Sequence, residues 1–449
     1  MAEIKPFESV HYGPDYSNTL KSLITPPYDV ISPEQQDSFY NSHPFNVIRL
    51  VLGKQFINDT PENNRYSRAS STLKQWMRDK VLIRKSKPCF TLYQMDFKEP
   101  NEKRKKIDGI VGLLKVEDYG VGKVLPHEKT YSGPKKDQLE LLRACKANFT
   151  PIHAMFDDPC QKVSKLYENL LNSPPEQEVR DSDDTIHRTW SLYDEVSIHE
   201  IVRFLSQKSL FIADGHHRYE TSLAYCREVE ARNHFTTDSS HKYVMSYLTS
   251  MSHPGLLILP AHRMLRGLTN FDKELLLNRI KDCFEIQELD YDVNDIQMAS
   301  KKLLTKLNEY TDVGGHFGML ISGAKKFCLL SLKDFQVISQ FLDTNIPDVL
   351  INLDVTILRE LILKHGFKLD SENSEDHIEY TPFIEEALKK VLLGDVQVSF
   401  ILNPTRVDQM RKAAEMGQKL PHKSTYFYPK IPSGLVGYHF SSIEGCRHV

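Results

Sequence analysis

Residues 212–220 read Ile-Ala-Asp-Gly-His-His-Arg-Tyr-Glu, and they close the apolar run 209–213, Ser-Leu-Phe-Ile-Ala. A short apolar run stopped by Asp-Gly predicts a strand over 209–213. Tyr219, Leu223 and Cys226 then recur at steps of four and three, which predicts one face of a helix opening near His216. A strand running through a tight turn into a helix presents backbone N–H groups and the positive end of the helix dipole. Gly215 lets a ligand approach the backbone, and Arg218 adds a forked cation. Such a turn suits a phosphate group. The plainer alternative makes Asp214 an N-cap and the histidines ordinary surface residues. Two histidines and an arginine crowded on one turn favour the anion site. Asp214, Gly215, His216, His217 and Arg218 are therefore the candidate phosphate- or nucleotide-binding residues.

Around this turn, strand-like and helix-like stretches alternate without a strict βαβ rhythm, so the fold class is α+β, or mixed α/β. No period of 20 to 50 residues repeats. Residues 90–98 and 106–116 predict a hairpin through the polar turn 99–105. Asp137-x-x-Glu140 reads as a capping box opening a helix. Helices are expected at 272–283, 293–309, 381–393 and 405–416, the last ended by Gly417. Strands are expected near 284–290, 316–322, 326–332 and 396–402. The Pro- and acid-rich stretch 173–184 reads as a linker between an N-terminal α+β region, 1–172, and a second one, 185–449, with the site shared between them.

Three further segments carry chemistry. Pro126-His127-Glu128-Lys129-Thr130 lies in a polar loop ahead of Lys135 and Lys136, and active-site residues concentrate on such loops. Glu128 suits a general base for a hydroxyl or a magnesium ligand, and His127 suits either role less well; the alternative is a solvated loop with a charged rim. In Pro26-Pro27-Tyr28-Asp29-Val30-Ile31 the prolines stiffen the backbone ahead of Asp29. That either aims a carboxylate or marks a turn at the start of a strand. The run 422–430, His-Lys-Ser-Thr-Tyr-Phe-Tyr-Pro-Lys, follows neither strand nor helix periodicity. A loop of this kind holds a phosphate or carboxylate through Lys423, Ser424 and Thr425, unless it is simply a surface loop packed by its tyrosines. Arg263, after a short strand, is a weaker candidate for the substrate side.

Composition excludes several classes. The chain has 449 residues, 40% hydrophobic and 26% charged, which is enough apolar material for a core and rules out disorder. Lys plus Arg number 57 against 60 Asp plus Glu, so bulk charge argues against nucleic-acid binding. Seven scattered cysteines form no C-x-x-C pair, in keeping with reduced thiols in the cytoplasm. No segment predicts a signal peptide or a membrane span. P-loop, dinucleotide-fold and zincin motifs are missing, and the 18 histidines do not fall at zinc-ligand spacings. No zinc, haem or flavin is expected.

The segment 212–220 resembles the phosphate-binding turn of the ParB/sulfiredoxin superfamily. Beyond it, PPYDVI (26–31), LPHEKTYSGPKKDQLELLRA (125–144), IADGHHRYETSLAY (212–225) and LPHKSTYFYPKIPSGLV (420–436) look like the bacterial and archaeal domain-of-unknown-function family 1015. Sulfiredoxins carry a cysteine where this chain has His216, so their thiol chemistry is not implied. ParB clamps add an arginine after the turn, where Tyr219 and Glu220 stand here. The free-serine kinase branch also resembles this turn. That resemblance implies a ParB/sulfiredoxin-like nucleotide-binding core and a kinase using Mg²⁺ with ATP or ADP on free L-serine or a similar metabolite. Glu128, or else Asp29, would be the base, assisted by His127, with Lys423, Ser424, Thr425 and Arg263 on the substrate. Two other classes stay open: a nucleotide-gated switch without group transfer, and a metal-dependent hydrolase built on His127 and His216.

Overall fold

A computed structural model describes residues 2–440 apart from 101–102, 129, 131, 233–238, 293, 335, 337–339, 342–345 and 370–374. The chain forms two compact units. The first comprises Met1–Pro126, Thr130–Leu257 and Pro429–Val449, the second His127–Lys129 and Ile258–Tyr428.

Among the described residues, the first unit is built on a nine-stranded sheet. Its strands are β1 (Ile4–Lys5), β2 (Phe90–Lys98), β3 (Arg104–Lys115), β4 (Val124–Leu125), β5 (Ile152–Phe156), β6 (Gln177–Arg180), β7 (Ile186–Leu192), β8 (Leu210–Asp214) and β9 (Tyr243–Ser250). They lie in the order β4–β8–β5–β9–β3–β2–β7–β6, with β1 against β3. The expected hairpin is present as β2 and β3, paired from Thr91 with Val111 to Lys98 with Arg104. The pairs β8/β4 and β9/β5 are parallel. Every residue of β2 except Lys98 is buried, as a strand covered on both faces must be.

The helices of this unit include α1 (Arg65–Arg78), α2 (Ser132–Cys145), α3 (Glu195–Ser206) and α4 (His216–Arg232). Asp194 caps α3 by accepting the Ser197 amide at 2.8 Å. Ile201 and Leu205 of α3 and Tyr219 and Cys226 of α4 share one core with Leu92, Ile110, Ile212 and Leu248 of the sheet, and Leu223 packs against it. The face of α4 expected from the sequence is thus the face that is buried.

Two expectations change. Helix α2 starts at Ser132, so Asp137 lies in its second turn rather than at its cap. A proline at position 134 is tolerated there because first-turn N–H groups have no intrahelical partner. Asp137 instead accepts the Tyr66 hydroxyl at 2.6 Å and pairs with Arg65 of α1. The stretch 173–184, read as a linker, carries β6 at the edge of the sheet. Its acids serve that edge: Glu176 pairs with Lys85 at 2.6 Å and Glu178 with Arg188 at 2.6 Å. Polar, charged residues are what an exposed sheet edge calls for.

Among the described residues, the second unit carries a six-stranded antiparallel sheet. Its strands are β10 (His262–Leu265), β11 (Phe284–Asp290), β12 (His316–Ile321), β13 (Lys326–Leu332), β14 (Ile378–Thr381) and β15 (Val398–Ile401), in the order β11–β13–β12–β15–β10–β14. Helices α5 (Ile296–Asn308) and α6 (Ile384–Leu393) pack Leu303, Leu307, Leu388 and Val391 onto Met264, Leu320 and Ile401. The helix expected at 405–416 spans Val407–Glu415, and Gly417 follows it at φ +67°. Both units are mixed α+β. No helix among the described residues is long and apolar enough to cross a membrane.

The β3/β9 pairing leaves no room for a side chain at Gly109, where a Cβ would stand 2.4 Å from the Leu248 carbonyl oxygen. We expect Gly109→Ala to destabilise the full chain by about 1–3 kcal/mol, the usual cost of overpacking. An unchanged urea midpoint and slope would contradict this register.

Candidate functional site

Strand β8 ends at Asp214, opposite His153 of β5, after an irregularity in register between Ile212 and Asp214. Gly215 follows at φ +91°, a backbone state that favours glycine. A Cβ there would also meet Ile152 Cγ2 at 2.9 Å and Arg218 Cζ at 3.0 Å. Helix α4 begins at His216, and its hydrogen-bond ladder opens with the Tyr219 amide donating to the Gly215 carbonyl at 3.0 Å. The amides of 216–218 lie ahead of that ladder, at the positive end of a 17-residue helix. The strand–turn–helix expected from the sequence is therefore in place.

The charges on the turn are arranged around one carboxylate. Arg218 donates to Asp214 at 2.6 Å and to the Pro151 carbonyl at 2.5 Å. Lys430, from the last segment of the unit, pairs with the other oxygen of Asp214. Burial by itself would push Asp214 up, but Lys430 and Arg218 hold it far below the usual carboxylate range. His153 is buried beneath the turn, bonded through Nε2 to the Thr249 hydroxyl at 2.7 Å. Burial pushes His153 down to about 4, so it is neutral near pH 7. Lys430 and His153 were not singled out from the sequence. Lys430 closes the quoted run 422–430, and only its distance from Asp214 along the chain hid the connection.

Asp29 sits exposed in the short 3₁₀ turn Tyr28–Val30 rather than at the start of a strand. Its neighbour Tyr28 lines a cavity together with Arg218. Burial foremost, with help from the charge of Asp29, pushes the Tyr28 phenol up, so it stays neutral. The first unit thus gathers the 26–31 and 212–220 segments at one place. The loop after Pro126 reaches the same helix, since Glu220 accepts the Thr130 hydroxyl at 2.6 Å and the Lys135 ammonium at 2.8 Å.

The remaining expected residues belong to the second unit. Glu128 accepts the Lys423 amide at 3.1 Å and pairs with His422 at 2.9 Å. Lys129 of the same quoted run lies outside the described residues. His127 is fully buried, its Nε2 bonded to the Thr425 hydroxyl at 2.9 Å. The Ser424 hydroxyl is also buried and donates to the Pro421 carbonyl at 2.5 Å. Arg263 is buried, donates to the carbonyls of Ala261 at 2.6 Å and Lys423 at 3.1 Å, and lies over the Tyr380 ring. Burial pushes Arg263 down to about 10, which leaves it charged. Burial also pushes Asp354 up to about 6, against the Gly315 amide that donates to it at 2.6 Å. Lys423 holds φ +54° and exposes more of itself than Ser424 or Thr425.

For metals, one trio of donors among the described residues converges in the first unit. Cys226, Glu230 and His241 place ligand atoms within 4.8 Å of one another. Two features oppose a cation there: Lys242 pairs with Glu230 at 2.9 Å, and burial pushes the Cys226 thiol up to about 11.

Comparison with known families finds a match over residues 4–356 to a family described as protein of unknown function (DUF1015). No curated protein matches the chain. Among solved structures, a conserved hypothetical protein from Pyrococcus furiosus is similar at 14% identity and TM-score 0.33, covering 69% of this chain and 90% of its own. A free serine kinase in complex with AMP is similar at 13% identity and TM-score 0.33, with 72% and 97% covered. SbnI from Staphylococcus aureus with a C-terminal truncation matches at 10% identity and TM-score 0.32, with 71% and 82% covered. All three are distant from this chain in sequence and in shape.

Removing Lys430 should expose how much the Asp214 cluster holds. A carboxylate held below its unfolded value adds stability above the ordinary carboxylate range, and that stability is lost as pH falls through the folded value. We expect Lys430→Met to cost up to about 3–5 kcal/mol near neutral pH, as for a broken buried pair. The deficit should shrink in strong acid as Asp214 protonates. Thermal unfolding across pH checks this; a deficit independent of pH would contradict it. For metal, elemental analysis of the purified protein should find no stoichiometric zinc. One zinc per chain that disappears in Cys226→Ser would overturn that expectation.

Proposed function

The chain belongs to the DUF1015 family, and we propose that it is a small-molecule kinase on a ParB/sulfiredoxin-like core. In this reading a nucleotide, ATP or ADP, lays its phosphates on the 214–218 turn, and the terminal phosphoryl group passes to the hydroxyl of free L-serine or a similar metabolite. The observation that carries it is the turn itself: a glycine at φ +91° ahead of a long helix, with Arg218 and Lys430 converging on Asp214.

Phosphoryl transfer needs mostly positioning and charge neutralisation. Amides of 216–218, Arg218 and Lys430 would hold the phosphates, with His216 and His217 flanking them. Asp214 and Asp29 offer hard carboxylate oxygens of the type Mg²⁺ prefers. Magnesium, when bound, neutralises charge on the phosphates. The acceptor oxygen attacks the terminal phosphorus, the bond to the bridging oxygen breaks, and the hydroxyl proton goes to a carboxylate base. Glu128 and Asp29 are the two candidates for that base. Asp29 is the one gathered with the turn in the first unit, whereas Glu128 is already engaged by His422 and the Lys423 amide. On the substrate side Lys423 would balance a carboxylate. Thr425, Ser424 and Arg263 would shape that loop from within, because their polar atoms are buried and bonded. His127 likewise would position Thr425 rather than move a proton.

One observation favours a second reading, a nucleotide-gated switch without group transfer. Asp214 occupies both cations, so a phosphate at the turn would compete with the carboxylate for Lys430 and the segment that carries it.

Two measurements decide between them. Arg218→Ala should weaken ATP or ADP binding by about 1.5–3 kcal/mol in isothermal titration, as for a charge-assisted hydrogen bond; unchanged affinity would remove the phosphate from this turn. Incubation with Mg-ATP or Mg-ADP and L-serine should give phosphoserine by mass spectrometry. Asp29→Asn or Glu128→Gln, whichever removes the base, should then slow turnover by about 10²–10⁴-fold with affinity nearly intact. Nucleotide binding with no product across hydroxy amino acids and hydroxy acids would establish the switch instead.

A further inference from the structure

A cleft of about 340 Å³ opens in the second unit, along helix Lys273–Ile280 and the segment 366–369. That volume falls in the range of small-molecule pockets, about 300–1,000 Å³. None of its lining residues belongs to the segments 26–31, 126–130, 212–220 or 422–430. Leu268, Leu276, Phe271 and Phe367 give it an apolar wall. The two rings are nearly parallel, at 17°, with centroids 5.8 Å apart. Phe367 follows the π-helical stretch Leu358–Gly366, and its amide donates to the Ile362 carbonyl at 2.9 Å. Such helical turns are rare and recur at functional sites.

Two cations, Arg279 and Lys368, line the same cleft. Arg279 is half-buried and donates through Nη1 to the Gly366 carbonyl at 2.9 Å. Its Nε–H and Nη2–H have no partner among the described residues, and neither has the Lys368 ammonium. The carboxylate on the lining, Asp272, is already engaged as a helix cap. It accepts the Glu274 amide at 2.9 Å and the Leu275 amide at 3.3 Å. Lys368 holds the left-handed φ +59°, a costly backbone state for a lysine and one that recurs at ligand clamps.

We propose that this cleft binds a small organic monocarboxylate with an aromatic body, its carboxylate on Arg279 and Lys368 and its ring on the Phe271–Phe367 wall. The Nε–H and Nη2–H edge of a guanidinium presents two parallel donors, which match the two oxygens of a carboxylate. A half-buried cation has lost part of its hydration, and a bound carboxylate supplies the missing counter-charge. Aromatic side chains offer a flat apolar face, on which a ring buries more area than a short aliphatic chain. The proposal is independent of the phosphate reading, because no residue of the 214–218 turn lines the cleft.

Titration of the full chain by saturation-transfer NMR with 3-phenylpropionate, its neutral amide, acetate and inorganic phosphate tests this. 3-Phenylpropionate should bind about 10-fold or more tightly than its amide, the factor for a hydrogen bond to a charged group. Acetate and phosphate, which lack the ring, should bind more weakly than 3-phenylpropionate. Arg279→Gln should weaken 3-phenylpropionate by a similar factor. Because Arg279 also holds the Gly366 carbonyl, Lys368→Asn provides a second variant. Lys368 is exposed and asparagine tolerates its backbone state, so this variant should fold normally. It should weaken 3-phenylpropionate by about 2- to 5-fold, as for an exposed ion pair, and leave the amide unchanged. Arg218→Ala should alter none of these affinities. Equal binding of acid and amide, no binding of the acid, or acid binding unchanged in Lys368→Asn and Arg279→Gln would overturn the assignment. So would loss of acid binding in Arg218→Ala, which would move the carboxylate to the turn.

Discussion

The carboxylate of Asp214, held between Arg218 and Lys430, is the interaction on which the first unit's candidate site depends. A charge four-fifths buried at the end of a strand is costly unless it is paired. Arg218 meets it from the helix that follows, one turn away, so that half of the arrangement is local. Lys430 comes from the far end of the chain. The returning segment is tied to the unit by its backbone: Ser433 pairs with Thr25, Gly437 with Val10, and Tyr438–His439 with Ala147–Asn148. Those contacts fix where Lys430 enters. The electrostatics at the turn therefore depend on a backbone register set some residues away from it.

The sheet sets where the turn stands. Strand β8 has parallel β4 on one side and antiparallel β5 on the other. The irregularity before Asp214 takes the strand out of regular pairing just ahead of the turn, a common device for re-aiming a side chain. Tyr219 then anchors the start of α4. Its ring is buried in the core, while its hydroxyl donates to the Glu117 carbonyl and accepts the Glu117 amide, each at 2.9 Å. One residue on, Glu220 draws in Thr130 and Lys135. Anchors on both sides leave residues 214–218 held by the scaffold rather than by their own contacts alone.

In the second unit the candidate residues form a different kind of assembly. Glu128, His422, the Lys423 amide and Arg263 sit close together, with Arg263 buried over Tyr380. A guanidinium satisfied by two carbonyls and an aromatic face acts as a brace for the 421–425 loop. Truncating such a brace exposes the carbonyls it serves, which is a cost to folding as well as to any ligand. The hydroxyls of Ser424 and Thr425 face inward for the same reason: each has a partner within the unit.

The sequence by itself determined the local architecture. The 209–220 run, the 90–116 hairpin and the buried face of α4 follow from burial period and turn chemistry, which act over a few residues. It also determined which segments carry unusual chemistry, since 26–31, 212–220 and 422–430 all hold charged groups that no simple periodicity explains. Only the tertiary structure decided which of these groups meet. Asp214 and Lys430 are 216 positions apart, and Glu128 and Lys423 are 295 apart. The division of roles within one segment was equally hidden: in 422–430, Lys430 serves the first unit while Lys423 serves the second. The same holds for 173–184, whose acids look like a linker until Lys85 and Arg188 stand opposite them. Periodicity encodes the face a side chain presents, but an ion pair between remote segments depends on strand order and register, and these exist only once the chain has folded.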